Sequence, residues 1–389
     1  MVTTLTRAKR KIETVMTAGS ESKSVFLGFF LFAISFSYSG LVKLRETLYK
    51  KGLLKSKTLL CPVISIGNIT IGGTGKTPMT IYIAKLIKHL EYSVAIISRG
   101  YKGKAEKMGG VVCDGRTIFM TPDKAGDEPY MIAKTLKTVP VIVGQDRYKA
   151  GMLAIKRFNP DILLLDDGFQ HLKLHRDVDL VLLDSKEPFG NTYLFPRGTL
   201  REAVSAMERG DAVILKRSDV GKSESIDQIK NVVPEKPIFH SFHIPYIYKI
   251  VTGSNRQSKD RFKVSSGFGF EVFNNTSAVA FSGIAKNDDF LQTIESFNCE
   301  IRCFSRFPDH HKYTDRELDT IVKLALDLSV DFIFTTEKDY TRIAHKINWP
   351  IDVAVIGIEI SFRENELAFK SFVKNRLKEL LKRRELYLS

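Results

Sequence analysis

The sequence predicts an α/β fold: a doubly wound parallel sheet followed by a smaller α/β domain, with an apolar helix before both. Three observations carry this. Uninterrupted apolar runs such as Ile162-Leu-Leu-Leu165 recur between helical stretches, as expected of strands buried on both faces. A glycine-rich turn, Gly67 to Gly75, separates the first such run from Lys76-Thr77-Pro78. An uncharged run of 17 residues, Val25–Leu41, precedes them both.

The chain has 389 residues, enough for two domains with their own cores. Its 43% hydrophobic and 26% charged content is that of a globular protein. The net charge of +15 is high and unevenly placed. Residues 1–60 carry eleven Lys or Arg against three acids (Glu13, Glu21, Glu46), which is +8 of the excess. Such an end suits nucleic acid or anionic lipid. The adjacent apolar run decides for lipid and against nucleic acid. As a helix it spans roughly 25 Å, slightly short of a bilayer core. Three serines interrupt it, and bases flank both ends: Lys9, Arg10, Lys11 and Lys23 before, Lys43, Arg45, Lys50 and Lys51 after. Residues 1–58 therefore read as an extension plus a membrane-associated helix lying in the cytoplasmic leaflet, with a single span or a core helix as alternatives. A cleaved signal peptide does not fit, because a nucleotide-binding loop follows closely.

Residues 59–245 read as a nucleotide-binding domain. Strands are predicted at Val63–Ile66, Val94–Ser98, Val141–Val143, Ile162–Leu165, Leu180–Leu183 and Ala212–Leu215, with helices such as Pro129–Leu136 and Tyr148–Phe158 between them. In such a sheet the ligand sits at the carboxyl ends of the strands. The first strand, the glycine turn and the helical spacing of Met79–Leu90 together form a phosphate cradle: backbone N–H groups crowd the oxygens and the helix contributes its positive end. Gly72, Gly73, Thr74, Gly75, Lys76, Thr77 and Pro78 are the expected nucleotide-binding residues, and the domain is of the P-loop NTPase type. Lys76 reaches the β- and γ-phosphates and Thr77 binds Mg²⁺, so ATP and Mg²⁺ are the expected cofactors. Thr70 stands where the usual pattern has its first glycine.

Other residues could carry chemistry. Ile162–Asp167 ends a strand in two carboxylates, Asp166 and Asp167, where a Mg²⁺-organising Asp belongs. Gly168-Phe-Gln-His171 follows, with a structural role for His171 as the alternative. Gly126-Asp-Glu-Pro129 places two acids at a helix start, where capping is the alternative. Phe307-Pro-Asp-His-His311 places an Asp and two His in a proline-marked loop; an Asp/His pair suits deprotonation of a sugar or alcohol hydroxyl. Arginines cluster in turns at Ser98–Tyr101, Asp146-Arg147 and Phe195–Glu202, and Arg suits fork-like binding of phosphate.

From residue 246 to 275, Ser, Gly and Lys with alternating aromatics (Tyr246-Ile-Tyr248, Phe268-Gly-Phe270) predict a β-ribbon linker. Residues 276–362 form the smaller α/β domain: strand Ala278–Phe281, helix Asp288–Phe297, strand Ile301–Phe304, helix Asp315–Leu328, then strands Phe332–Thr335 and Val353–Ile356. Residues 363–389 form a basic helix with either a solvated face or a second membrane contact. The four cysteines make no zinc set or disulfide framework and are expected to pack as small hydrophobes.

Taken together these residues resemble the tetraacyldisaccharide 4′-kinase family, the lipid A 4′-kinases of Gram-negative bacteria. The resemblance runs through the glycine loop, Ser98-Arg-Gly-Tyr101, Gly126-Asp-Glu-Pro129, Asp166-Asp-Gly-Phe-Gln-His171, Phe195-Pro-Arg-Gly198, Leu200-Arg-Glu202, Ser282-Gly-Ile-Ala285, Phe307-Pro-Asp-His310 and Thr335-Thr-Glu-Lys-Asp339. Asn287 departs from it, where many members carry proline. The resemblance implies transfer of the ATP γ-phosphate to the 4′-hydroxyl of a tetraacylated glucosamine disaccharide 1-phosphate, giving lipid IVA, at the cytoplasmic face of the inner membrane. It implies Lys76 as a charge stabiliser, Thr77, Asp166 and Asp167 at the metal, Asp127 as the base and His310 as its partner, joined when the two domains close over ATP. Arg99, Glu128, Gln170, His171, Arg197 and Arg201 are the implied substrate or phosphate contacts. The rival reading is a membrane-tethered P-loop ATPase acting as a switch. Many of these carry a lysine just before the Gly-Gly, where this chain has Ile71.

Overall fold

The computed structural model describes residues 25–216, 223–254, 269–344 and 346–388. The bases Lys9, Arg10, Lys11 and Lys23 and the middle of the expected ribbon, 255–268, lie outside the described residues. Twelve strands form one sheet: β1 (Val63–Asn68), β2 (Val94–Ser98), β3 (Gly110–Asp114), β4 (Pro140–Val143), β5 (Ile162–Asp166), β6 (Val178–Asp184), β7 (Ala212–Lys216), β8 (Ile238–Val251), β9 (Ser277–Ser282), β10 (Glu300–Arg306), β11 (Phe332–Thr336) and β12 (Asp352–Ser361). Their order is β10-β9-β11-β12-β8-β7-β6-β1-β5-β2-β4-β3. Strands β7, β6, β1, β5, β2 and β4 run parallel, with β3 antiparallel at the edge. Strands β10, β9, β11 and β12 form a second parallel set.

Apart from the single turn Pro122–Ala125, the α-helices among the described residues are α1 (Val25–Lys50), α2 (Lys76–His89), α3 (Asp127–Thr135), α4 (Arg147–Phe158), α5 (Ser223–Val232), α6 (Asn287–Glu295), α7 (Asp315–Asp327), α8 (Glu337–Ile343) and α9 (Glu366–Leu388). Core residues of β1, β2, β5 and β7 are buried along their whole length, as their unbroken apolar runs require. The sets meet at β8. Its first residues, Ile238–Ser241, pair parallel with β7; from Phe242 onward it pairs antiparallel with β12. Strand β8 thus begins before Tyr246, the expected start of the ribbon, and its partner there is β12. Short α8 was not expected from the sequence. Thr336 caps it, its hydroxyl accepting from Asp339 N.

Helix α1 lies against the first half by one side. Leu31 and Ser35 are buried, the Ser35 hydroxyl donates to Leu194 O at 2.7 Å, and the Tyr38 hydroxyl donates to Arg201 O at 3.0 Å. Its other side leaves Phe29, Phe36 and Leu41 exposed by 72%, 74% and 68%. No helix among the described residues is long and apolar enough to cross a membrane. Helix α9 buries Phe369, Val373, Leu377 and Leu380 on the first half; Lys374, Lys378, Lys382 and Arg383 are exposed, while Arg376 pairs with Asp211 and Arg384 reaches Asp161 O. The cysteines are free thiols, and three of them are buried.

Candidate active site

One large cleft of about 2310 Å³ opens at the carboxyl ends of the first-half strands and is walled on its far side by the second half. That exceeds the several hundred Å³ of an ordinary small-molecule pocket, so it has room for two substrates. Between β1 and α2 the loop turns through Gly72 (φ 122°) and Gly75 (φ 81°), left-handed conformations that glycine adopts without strain. Gly75 caps α2, whose N-terminus opens into the cleft with Lys76 and Thr77 in its first turn. Gly72 to Pro78 all line the cleft. Lys76 Nζ rests between Asn68 Oδ1 (3.3 Å), Thr74 Oγ1 (3.4 Å) and Asp167 Oδ1 (3.7 Å). Behind the loop, Lys216 Nζ donates to Gly73 O at 2.7 Å.

Strand β5 delivers Asp166 and Asp167 beside the loop. Asp166 is buried; Thr80 donates to its Oδ1 at 3.1 Å and Ser98 to its Oδ2 at 3.3 Å. Burial, then the charges of Glu128 and Asp167, push its carboxyl up to about 7. For Asp167 burial acts the same way, but Lys76 and Arg201 outweigh it and hold the carboxyl below its usual range. Arg201 Nη1 donates to both Asp167 oxygens at 3.0 Å and to Gln170 Oε1 at 3.3 Å. Gln170 Nε2 donates to Asn68 O at 2.7 Å, which ties this carboxylate shell to the phosphate loop. Hard oxygens beside a phosphate cradle, one carboxyl raised by burial and then by neighbouring negative charge, are a donor set that fits Mg²⁺. No group of three or more His, Cys, Asp or Glu among the described residues could hold a metal by itself.

His171 lines the cleft, and its Nε2 is buried without a hydrogen-bond partner among the described residues. Burial, then Arg147, lowers it to about 4, so the ring is neutral near pH 7. Arg99 lines the cleft while pairing with Glu106 at 2.6 Å. Glu128 lines it too, 3.7 Å from Lys338 Nζ. Arg197 does not line it; its guanidinium lies over the Tyr193 ring at 4.9 Å.

The opposite wall carries the second half's chemistry. His310, in the loop after β10, places Nδ1 2.9 Å from Asp127 Oδ2. Asp127 opens α3 on the first half, so the pairing expected on domain closure is already made here. His310 lines the cleft, and Asp127 beside it keeps 19% of its side chain exposed. Burial would raise the Asp127 carboxyl; hydrogen bonds from His310 and Arg342 outweigh burial and hold it well below the usual range. Lys338 Nζ lies 3.3 Å from His310 Nε2 and 3.2 Å from Asp309 Oδ1. Lys216, Lys338 and Arg342 were not singled out as site residues from the sequence, and Arg147 was named only among the turn arginines suited to phosphate. Lys338 and Arg342 ride on α8, whose Thr336-x-x-Asp339 start was the available signal.

A phosphate loop on a parallel sheet, paired carboxylates at the next strand and a carboxylate–imidazole pair across the cleft define a P-loop phosphotransferase rather than a simple nucleotide switch. Comparison with known proteins makes the assignment particular. The sequence profile of the tetraacyldisaccharide-1-P 4′-kinase (LpxK) family matches residues 27–378, and the chain belongs to that family. Similar curated proteins include the tetraacyldisaccharide 4′-kinase of Desulfatibacillum aliphaticivorans, 39% identical over 95% of this chain and 98% of the relative. That of Syntrophus aciditrophicus is 37% identical over 87% and 90%. The crystal structure of LpxK from Aquifex aeolicus in complex with ATP superposes with a TM-score of 0.68 at 31% identity, covering 90% of this chain and all of that one.

Proposed function

We propose that this kinase moves the γ-phosphate of ATP onto the 4′-hydroxyl of a tetraacylated disaccharide 1-phosphate at the cytoplasmic face of the inner membrane. The observation that carries the reading is the Asp127–His310 pair at 2.9 Å, set across the cleft from the phosphate loop. A nucleotide switch has no need of a base there. In the transfer the 4′-oxygen bonds to the γ-phosphorus, the bond from phosphorus to the β–γ bridging oxygen breaks, ADP leaves, and the hydroxyl proton passes to Asp127. Such transitions are loose, so positioning and charge neutralisation dominate and a weakly basic carboxylate suffices. Lys76 leaves its resting contacts for the transferring phosphoryl. Thr77, Asp166 and Asp167 would hold Mg²⁺, which supplies neutralisation of phosphate charge when bound. Arg201 and Gln170 orient Asp167, while Arg99, Glu128 and His171 face the space left for the acceptor, and Arg197 lies outside that wall.

The exposed apolar side of α1 supports docking on the membrane that holds the acylated acceptor. The test is transfer of label from γ-labelled ATP, with Mg²⁺ in detergent, to the tetraacyl disaccharide 1-phosphate. Label in a bisphosphorylated lipid, abolished by Lys76→Ala, is expected. Label released only as inorganic phosphate would overturn the reading in favour of a tethered ATPase.

A further inference from the structure

The dyad does not by itself explain how the Asp127 carboxylate is held. Its Oδ2 accepts two hydrogen bonds, from His310 Nδ1 at 2.9 Å and from Arg342 Nη2 at 2.7 Å. Its Oδ1 accepts none from the described residues. Arg342 is braced from behind: Nη1 donates to Asp339 Oδ1 at 3.0 Å. Asp339 is fully buried, and its Oδ2 accepts from Gly283 N (3.0 Å) and the Thr336 hydroxyl (2.7 Å). The chain closes on itself where His310 N donates to Gly283 O at 3.2 Å. One buried carboxylate thus fixes both the arginine and the loop that carries the imidazole.

The proton on His310 follows from its neighbours. Arg342 Nη2 and Lys338 Nζ, donors only, each lie 3.3 Å from a ring nitrogen, Nδ1 and Nε2 respectively. The shorter contact, 2.9 Å from Nδ1 to the acceptor-only Asp127 carboxylate, decides that Nδ1 carries a proton and donates it to Asp127. Both donors to Asp127 therefore converge on one oxygen, and the carboxylate plane is set by two groups from the second half.

We infer that Arg342 is a positioning residue for the transfer: braced on Asp339, it turns the Asp127 carboxylate so that Oδ1 stays open for the acceptor hydroxyl. This rests on the phosphotransfer proposed above. A merely structural ion pair would tie the halves together without setting the rate. The planar fork is essential to the inferred role, since one nitrogen must meet Asp339 while the other meets Asp127.

The experiment measures kcat, the KM for ATP and thermal midpoints in the full chain. Arg342→Ala should lower kcat ~10²-fold, the scale of one displaced acid–base group, with the KM for ATP changed less than ~2-fold. Millimolar guanidinium, against a sodium chloride control, should restore part of that kcat. Arg342→Lys keeps the charge but not the fork and should fall between. The double variant Arg342→Ala/Asp127→Asn should be no slower than Asp127→Asn alone. An unchanged kcat, a multiplicative double variant, or a loss that guanidinium does not restore would overturn the inference. If Arg342→Ala fails to fold, Arg342→Lys carries the same comparison with Asp127→Asn. Wild type run alongside separates the two readings: label in lipid with an indifferent Arg342 sinks only the inference, whereas no lipid label in wild type sinks the function.

Discussion

Asp166 shows how a single residue can be read at two depths. The sequence exposed it as the end of an apolar strand beside a phosphate loop. It could not show that Thr80 and Ser98 occupy both oxygens, or that Glu128 and Asp167 load the site with negative charge. Asp167 is its neighbour in sequence, but Thr80, Ser98 and Glu128 come from three separate segments that only the folded register brings together. A buried carboxyl raised by its neighbours gains most from a divalent cation. Asp166→Asn should therefore lower turnover ~10²-fold and raise the Mg²⁺ concentration needed for half-maximal rate. Initial rates against free Mg²⁺ check this; an unchanged Mg²⁺ dependence would remove Asp166 from the metal site. Asn287 was legible only as a departure. Its amide accepts from the Ser282 hydroxyl at 2.6 Å and donates to Phe307 O at 3.0 Å, so it ties the start of α6 to the loop leading to His310.

At the scale of elements, the serines of α1 had argued for a weakened membrane span. Ser35 instead marks the docked side, donating to Leu194 O, while the phenylalanines of the other side stay in solvent. Replacing Phe29 and Phe36 with Asp should reduce the partition coefficient onto anionic vesicles, read by co-sedimentation, by ~10²-fold or more, since each buried large apolar side chain contributes ~1.5–3 kcal/mol. The detergent-assayed rate should stay near wild type; equal sedimentation would show that α1 does not dock by this side. Helix α9 was legible as a basic helix but not by its packing. Phe369 is fully buried, stacked on Phe362 at 3.9 Å and edge-on to Phe239 at 5.1 Å. Phe369→Ala should cost ~3–5 kcal/mol in urea unfolding while leaving the KM for ATP unchanged. A cost below ~1 kcal/mol would mean that α9 is only laid on the surface. The parallel strands were legible because burial on both faces writes itself as unbroken apolar runs. The β8 junction was not, because a strand that changes partner midway has a mixed pattern.

Across the whole molecule, two halves share one sheet through β8 and meet again at the cleft. There Thr135 donates to Glu337 Oε1 at 3.3 Å, and Asp127 on α3 binds His310 and Arg342 from the second half. The sequence made Asp127 and His310 visible as separate motifs 183 positions apart. Arg342, an isolated arginine in an unremarked helix, became visible only through the folded contact. This link makes the joining of the halves acid-sensitive. The folded Asp127 carboxyl is held below its unfolded value of about 3.9 despite burial. Its contribution to stability is therefore fully present above that value and is lost as pH falls through the depressed folded one. At neutral pH, Asp127→Asn should cost ~1–3 kcal/mol, because Arg342 and His310 lose the anion to which both donate while Arg342 keeps its Asp339 pair. Urea midpoints of wild type and Asp127→Asn should differ by a constant amount above about pH 5 and converge as pH falls below ~3.9. A gap that widens in acid would mean that Asp127 is destabilised as an anion in the folded chain. The halves would then be joined by β8 and by contacts such as Thr135–Glu337, Lys338–Glu128 and Lys286–Asp184, with no help from the Asp127 charge.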